Sequence, residues 1–329
     1  MFTNKIILIT GGTGSFGSEL IKKLTSIKTN KPKKIIIFSR DELKQFNLQK
    51  KYPIKKYPNL RFFLGDIRDK DRLKMAFFEV DFIIHAAALK QVPAAEYNPI
   101  EFIKTNILGA QNIIEASIEC GVKKVIALST DKASSPINLY GATKLCSDKL
   151  FLSANSLSGS RKTIFSVVRY GNVFGSRGSV APFFLEQKKR GFLPITNINM
   201  TRFNILLQDA VKLVYLAMQK GIGGEIFIPK TPSFKITDLA RAICPKCKLK
   251  IIGIREGEKI HEELISRAES VNAFDLKKYY VICGNEKSRK EYSKNKKNKV
   301  KEGFVYNSFE NEKYLSVEDL KIMAQNINK

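Results

Sequence analysis

The chain opens with a short apolar run that stops on glycine. Ile6-Ile7-Leu8-Ile9-Thr10 passes at once into Gly11-Gly12-Thr13-Gly14-Ser15-Phe16-Gly17, and a helical pattern starts at Ser15. The spacing Gly11-x-x-Gly14-x-x-Gly17 lets a buried strand turn sharply into a helix packed close against it. The same alternation continues. Strand candidates are residues 5–10, 34–39, 60–64, 81–86, 124–129 and 164–169. Helical patterns lie between them at 15–27, 71–78, 100–120 and 140–155. The strands read as continuous apolar runs, as burial on both faces requires.

Six strands with crossover helices predict an α/β fold, a Rossmann-like doubly wound parallel sheet. After Gly171 the pattern loosens. Gly171 to Ser179 is turn-rich, and Pro182, Pro194, Pro229, Pro232 and Pro245 punctuate shorter elements. We therefore expect residues 1–170 to form the nucleotide-binding domain. Residues 171–329 should form a smaller mixed lobe that binds substrate, with part of 201–230 packing back on the first domain. Ser316 reads as the N-cap of a closing helix.

At 329 residues the chain has ample core. No apolar run reaches the roughly 18 residues that span a bilayer. The first apolar run is too short for a signal peptide, and glycines follow it where a cleavage site would stand. A cytoplasmic enzyme with no membrane partner is expected. Of five cysteines, Cys244 and Cys247 have the spacing of a metal or redox pair, but no second pair accompanies them. Free thiols and no metal are expected. The 57 Lys and Arg against 31 Asp and Glu give a net charge of +26. That charge is spread along the chain rather than gathered on one motif, so anionic nucleotides, not nucleic acid, are the expected partners. The densest patch, Lys287 to Lys301, reads as a solvated loop.

The glycine turn suits a pyrophosphate. Backbone N–H groups of Gly11, Thr13, Gly14, Ser15, Phe16 and Gly17 lie at a helix N-terminus, where the dipole favours an anion. The second strand ends at Ser39-Arg40. An acid there would accept hydrogen bonds from a ribose 2′-OH; serine and arginine, helped by Lys44, suit a 2′-phosphate, so NADP is the expected cofactor. Asp66-Ile67 after the third strand would sit beside the adenine. Ala86 and Ala87 after the fourth let the backbone approach the cofactor.

Tyr140-Gly-Ala-Thr-Lys144 places a phenol and an ammonium on one helix face. A phenol of pKa near 10 is a poor base at neutral pH. Nearby positive charge favours the phenolate and fits Tyr140 to take a proton from a hydroxyl. Ser129-Thr130-Asp131-Lys132 ends the fifth strand, where open α/β sheets hold their ligands. An adjacent acid and amine there supply two proton-transfer groups on one edge of the site.

Seven ordered segments carry a specific resemblance: Thr-Gly-Gly-Thr-Gly-Ser-Phe-Gly (10–17), Ser-Arg-Asp-Glu-Leu-Lys (39–44), His-Ala-Ala-Ala-Leu-Lys-Gln-Val-Pro (85–93), Ser-Thr-Asp-Lys-Ala (129–133), Leu-Tyr-Gly-Ala-Thr-Lys-Leu-Cys-Ser-Asp-Lys (139–149), Val-Val-Arg-Tyr-Gly-Asn-Val (167–173) and Met-Thr-Arg-Phe (200–203). Together they resemble the configuration-inverting UDP-N-acetylglucosamine 4,6-dehydratases of the extended short-chain dehydrogenase/reductase superfamily. The resemblance implies oxidation at sugar carbon 4 with Tyr140 as base, Lys144 orienting the ribose and Thr130 bonding the carbon-4 oxygen. Lys132 would take the carbon-5 proton, and Asp131 would protonate the hydroxyl leaving carbon 6. Hydride return and reprotonation from the opposite face give an inverted 4-keto-6-deoxy sugar, a lyase outcome with the cofactor regenerated.

By the same carry-over Lys90 and Val173 would lie near the nicotinamide. Lys90, Asn172, Val180, Thr196, Met200, Arg202, Arg255 and Glu258 would line the UDP-N-acetylglucosamine site. A homo-oligomer, hexamer or dimer, and the pseudaminic acid route to flagellin glycosylation are implied as well. Asn204 and Glu256 depart from the family's usual tryptophan and proline, which bears on pocket shape rather than reaction class. His85 reads as structural. A sugar 4-epimerase would need only the tyrosine pair and a hydroxyl, and retaining dehydratases usually carry methionine in place of Tyr140. A nucleic-acid-binding protein on the same scaffold would not need the full set Thr130, Asp131, Lys132, Tyr140 and Lys144.

Overall fold

The computed structural model describes residues 2–176 and 178–327. Arg177, inside the turn-rich stretch 171–179, lies outside them. The first half alternates strands and helices: β1 (Ile6–Thr10), α1 (Ser15–Thr25), β2 (Lys34–Ser39), α2 (Glu42–Lys51), β3 (Leu60–Leu64), α3 (Lys70–Phe77) and β4 (Phe82–His85). Two short helices follow, α4 (Val92–Tyr97) and α5 (Pro99–Phe102), then α6 (Gly109–Glu119), β5 (Lys124–Thr130), α7 (Leu139–Leu157) and β6 (Ile164–Tyr170).

Strand order in the large sheet is β3-β2-β1-β4-β5-β6, all parallel. The chain reverses its direction of travel between β1 and β4, which opens a crevice at the carboxyl ends of those strands. Side-chain alternation divides each strand between two cores. Leu8, Ile36, Phe38 and Ile83 pack against Leu73, Ile113 and Phe151 on one face. Ile7, Ile9, Ile35 and Ile37 pack against Leu20, Ile21 and Val214 on the other. Each such side chain contributes roughly 1.5–3 kcal/mol on burial, so a strand that fills both faces is strongly held.

The sheet runs further than the six strands the sequence predicts. Glu225–Pro229 adds parallel to β6, and Tyr279–Cys283 and Ala273–Asp275 add antiparallel beyond it. Helix Leu207–Lys220 returns to cover the β1 face beside α1. The part of the chain after Gly171 contributes a further core, with Phe184, Leu193, Ile195, Met200, Phe234 and Leu239 at its centre. Its closing helix, Val317–Gln325, starts on a Ser316–Asp319 capping box.

Three expectations are corrected. The pattern 100–120 is not one helix: a π-helical turn, Ile103–Leu108, separates α5 from α6. This turn carries Asn106, whose side chain bonds both Leu89 N and Leu89 O at 2.9 Å. The Lys-rich stretch is not a bare loop. Asn285 caps a helix, Glu286–Ser293, in which Lys290 pairs with Glu286 at 2.8 Å and Tyr292 packs on Phe274. Its near-uniform polarity hid the helical period. Finally, Cys244 and Cys247 are joined as a disulfide rather than free, while Cys120, Cys146 and Cys283 are free thiols. A tight turn, with Cys247 N–H donating to the Cys244 carbonyl at 3.2 Å, brings the two Cα atoms to 5.3 Å, within bridging range.

Candidate active site

The crevice at the β1/β4 switch point holds a cleft of about 810 Å³, with a second cavity of about 300 Å³ adjoining it. Both are lined by Gly11, Gly14, Lys44 and Ala86. The glycine turn meets the requirement the sequence suggests. A Cβ on Gly17 would stand 2.4 Å from the Gly12 carbonyl oxygen, so only glycine lets α1 start this close to the turn. No side chain caps α1, and its first turn holds no acid. Its orphan N–H groups therefore suit a phosphate.

The smaller cavity is lined by Thr13, Ser39, Arg40, Asp66, Ile67 and Ala87. Thr13 and Ser39 hydroxyls share a hydrogen bond of 2.9 Å. Arg40 is half exposed and lies 3.4 Å from Asp66. Burial pushes the Asp66 carboxyl up, but hydrogen bonds from Arg68 and Arg40 outweigh it and hold it below the usual range. Lys44 is paired with Asp41 at the start of α2.

The larger cleft brings together Ser15, Phe16, Gly17, Lys90, Thr130, Asp131, Lys132, Tyr140, Lys144, Asn172, Val173, Arg202, Arg255 and Glu258. Residues spread over more than 240 positions of sequence thus face one space. Val180, Thr196 and Met200 line neither cavity. Met200 is buried in the core contributed by the chain after Gly171, and Val180 opens the helix Val180–Gln187 beside it.

Asp131 and Lys132 sit on a single 3₁₀ turn where β5 ends. The Thr130 hydroxyl donates to Asp131 Oδ1 at 3.0 Å, and Lys132 Nζ lies 3.1 Å from the same oxygen. Asp131 is almost fully buried, and its Oδ2 has no hydrogen-bond partner among the described residues. Burial, aided by the nearby Glu262 charge, pushes its carboxyl up despite Lys132. Burial pulls the Lys132 ammonium down, but the carboxylates of Asp131 and Glu262 outweigh that and drive it up. The pair is built to share a proton.

Asn138 caps α7 by accepting from Gly141 N–H at 2.7 Å. A Cβ on Gly141 would lie 2.2 Å from the Lys132 carbonyl oxygen, so glycine is what lets α7 cross directly over the Asp131–Lys132 turn. Tyr140, Lys144 and Asp148 follow on one buried face. Burial pushes the Tyr140 phenol up to about 12, while Lys132 and a hydrogen bond with Thr130 oppose the rise. The ammonium that bears on Tyr140 in this chain is therefore Lys132. Burial lowers Lys144, with Asp148 opposing. His85 is held neutral by burial, its pKa lowered to about 3, and bonds Thr10 at 2.8 Å in the sheet interior, a structural placement.

Glu262, Arg169, Asp148, Glu269 and Asn106 escaped sequence reasoning as parts of the site. Glu262 reaches Lys132 Nζ at 3.1 Å and Arg202 Nε at 3.8 Å. Arg169 is fully buried and bridges Asp148 at 3.2 Å and Glu269 at 2.8 Å. Asn106 bonds Thr143 at 3.1 Å as well as Leu89. Arg169 and Asp148 lie in motifs the sequence displays, but nothing in spacing shows that they meet. Among the described residues no group of three or more His, Cys, Asp or Glu is placed to hold a metal, and no helix is long and apolar enough to cross a membrane.

Comparisons with known proteins agree with the fold. A family model described as polysaccharide biosynthesis protein matches residues 7–284. A UDP-N-acetylglucosamine 4,6-dehydratase (inverting) of Campylobacter jejuni is 55% identical, covering 97% of each chain. A UDP-glucose 4-epimerase of Rickettsia felis is 43% identical, covering 100% of this chain and 97% of that one. The X-ray structure of Pen from Bacillus thuringiensis superposes with a TM-score of 0.88 at 38% identity, covering 100% of this chain and 99% of that one. With sheet order, glycine cradle and the Asp131–Lys132–Tyr140 cluster in place, the chain belongs to the polysaccharide biosynthesis protein family, in the group of the inverting UDP-N-acetylglucosamine 4,6-dehydratases.

Proposed function

We propose that this protein removes water from UDP-N-acetylglucosamine across carbons 5 and 6 and inverts carbon 5, as an NADP-dependent hydro-lyase. The observation that carries the reading is the pair of a buried Asp131 and a partly buried Lys132, 3.1 Å apart, beside Tyr140 in one cleft. An epimerase has no use for a second acid and base at that point. The product would be UDP-2-acetamido-2,6-dideoxy-β-L-arabino-hex-4-ulose.

Ser39, Arg40 and the α1 N-terminus would hold NADP. When bound, it supplies the acceptor for the carbon-4 hydride and the donor for carbon 6. Tyr140 takes the proton from the carbon-4 hydroxyl, with Thr130 bonded to both partners of that exchange. The carbon-4 ketone acidifies carbon 5, and Lys132 removes that proton. Asp131, whose carboxyl burial pushes up, delivers a proton to the carbon-6 hydroxyl, which leaves as water. Arg202 and Arg255 offer charge-assisted hydrogen bonds to the diphosphate. A cytoplasmic homo-oligomer in the pseudaminic acid route belongs to this reading by resemblance alone.

The test is incubation of pure protein with UDP-N-acetylglucosamine in deuterated water, followed by NMR. A 4-keto-6-deoxy sugar with deuterium at an inverted carbon 5 is expected. Retained configuration without deuterium would defeat the stereochemical claim, and a carbon-4 epimer with no water lost would favour the epimerase. No product at all, with salt-sensitive RNA binding instead, would remove the enzyme reading.

Cofactor choice has its own test. Arg40→Ala is expected to weaken NADP by roughly 10- to 100-fold, because one charge-assisted hydrogen bond is worth about 1.5–3 kcal/mol. NAD affinity should stay unchanged. Titration calorimetry with both cofactors reads the difference, and a wild-type preference for NAD would reverse the assignment.

A further inference from the structure

The cleft wall facing β5 carries a buried carboxylate that the steps above do not use. Glu262 is about 1% exposed, and its Oε1 lies 3.1 Å from Lys132 Nζ and 3.8 Å from Arg202 Nε. Its Oε2 is buried with no hydrogen-bond partner among the described residues. Such a carboxylate is costly to bury. Structural pairing does not require it. Lys132 already has Asp131, and Arg202 already has Glu258 at 3.5 Å and the carbonyls of Thr201 and Ile260. Nor does the backbone depend on this side chain: Glu262 N–H donates to the Ser308 hydroxyl at 2.9 Å, and Ser308 N–H donates to the Glu262 carbonyl at 2.8 Å.

We infer that Glu262 is a positioning residue for elimination, holding Lys132 Nζ toward carbon 5 and stabilising the positive charge the amine gains there. The inference rests on the dehydratase reading. A lysine on a flexible four-carbon stem needs more than one anchor to aim a proton transfer. Asp131 anchors it from its own turn, and Glu262 does so from the segment across the cleft.

The proton count shows why a second acid belongs here. The step draws on the one-proton form of the pair with the proton on Asp131, reached from the ion pair by transfer along the 3.1 Å contact, which leaves Lys132 as the amine. The carbon-5–hydrogen bond breaks, its electrons pass into the enolate, and Nζ takes the proton. The pair then carries a full positive charge beside Glu262. Asp131 next gives its proton to the carbon-6 oxygen, the carbon–oxygen bond breaks, and water leaves. Transfer of the Lys132 proton along the 3.1 Å contact to Asp131 resets the pair.

The pH dependence follows. The active form is the pair with one proton, bounded by two macroscopic pKa values. Charged groups facing Glu262 are Lys132 and Asp131 from the turn after β5, Arg202 from strand Thr201–Ile205, and Lys259 on its own loop. Tyr140 faces Lys132 from α7. Removing one negative charge from this set lowers both pKa values of the pair, so both limbs of the rate profile move to lower pH.

Glu262→Gln keeps size and an acceptor but removes the charge. With wild-type protein first shown to make the keto sugar, the variant is expected to lose about 10- to 100-fold in kcat, less than the roughly 10²–10⁴-fold of a positioned base itself, with KM within threefold. Both limbs should shift by about 1 pH unit. Absorbance of reduced cofactor should build up, because carbon 4 is still oxidised while elimination stalls. Glu262→Asp restores the charge at a shorter reach, so its limbs should return to the wild-type positions while kcat stays low. Unmoved limbs, or equal loss of cofactor reduction and product with a lowered melting temperature, would overturn the inference. Wild-type protein that yields no keto sugar would overturn the functional reading, and this inference with it.

Discussion

Lys132→Ala is expected to make no keto sugar while binding NADP as the wild type does. The amine, itself partly exposed, lies 3.1 Å from two buried carboxylates, Asp131 and Glu262. No other amine shares the β5 turn with Asp131. A positioned base contributes about 10²–10⁴-fold, and Asp131 would lose the partner that shares its proton, so the combined loss should approach the assay floor. The dinucleotide cradle is built from Gly11 to Gly17, Ser39 and Arg40, which do not touch Lys132. Cofactor titration therefore should not change. Loss of cofactor binding together with product would make Lys132 a structural residue instead.

Arg169→Ala is expected to cost about 3–5 kcal/mol of stability, the usual penalty for removing one partner of a buried ion pair. Its guanidinium meets Asp148 at 3.2 Å, both Glu269 oxygens at 2.8 and 3.0 Å, and the Leu264 carbonyl at 3.2 Å. Removal leaves a buried carboxylate, Asp148, and a partly buried one, Glu269, without their shared cation. Both carboxyl pKa values in the folded state then rise. A raised acid is destabilising above its folded pKa, and that penalty fades as pH falls and the group protonates. The deficit against wild type should thus be largest near neutral pH and shrink toward the ordinary carboxylate range. Urea unfolding at several pH values reads this; a pH-independent deficit would point to lost packing alone. Activity should fall too, since Glu269 also holds Ser134 at 3.3 Å and Asp148 holds Ser129 at 2.7 Å, on either side of the Asp131–Lys132 turn.

The sheet was legible because its strands are apolar on both faces, a pattern that needs no knowledge of neighbours. Boundaries of β2 and β3 match the expected runs, and β5 and β6 are each one residue longer. Helix α2 was not anticipated: its exposed Leu43 and Phe46 blur the period, and only the Asp41 cap marks its start. The helix Glu286–Ser293 was missed for the opposite reason, because it has almost no apolar face. Strands Glu225–Pro229 and Tyr279–Cys283 lie among turns and carry no sign of which sheet edge they join.

Local sequence determined the groups whose chemistry depends on near neighbours. The glycine cradle, the Asp131–Lys132 turn and the Tyr140–Lys144 face are fixed by spacings of one to six residues, and strand and helix geometry place them without further information. Tertiary structure alone decided the long-range electrostatics. Glu262 stands 130 positions from Lys132 and Glu269 stands 100 from Arg169, and a carboxylate in sequence looks the same whether it faces water or a partly buried amine. Only packing removes the water, and with it the screening that makes such charges weak. That is why the sequence displays the proposed acid and base, while the fold decides which further charge stands beside them.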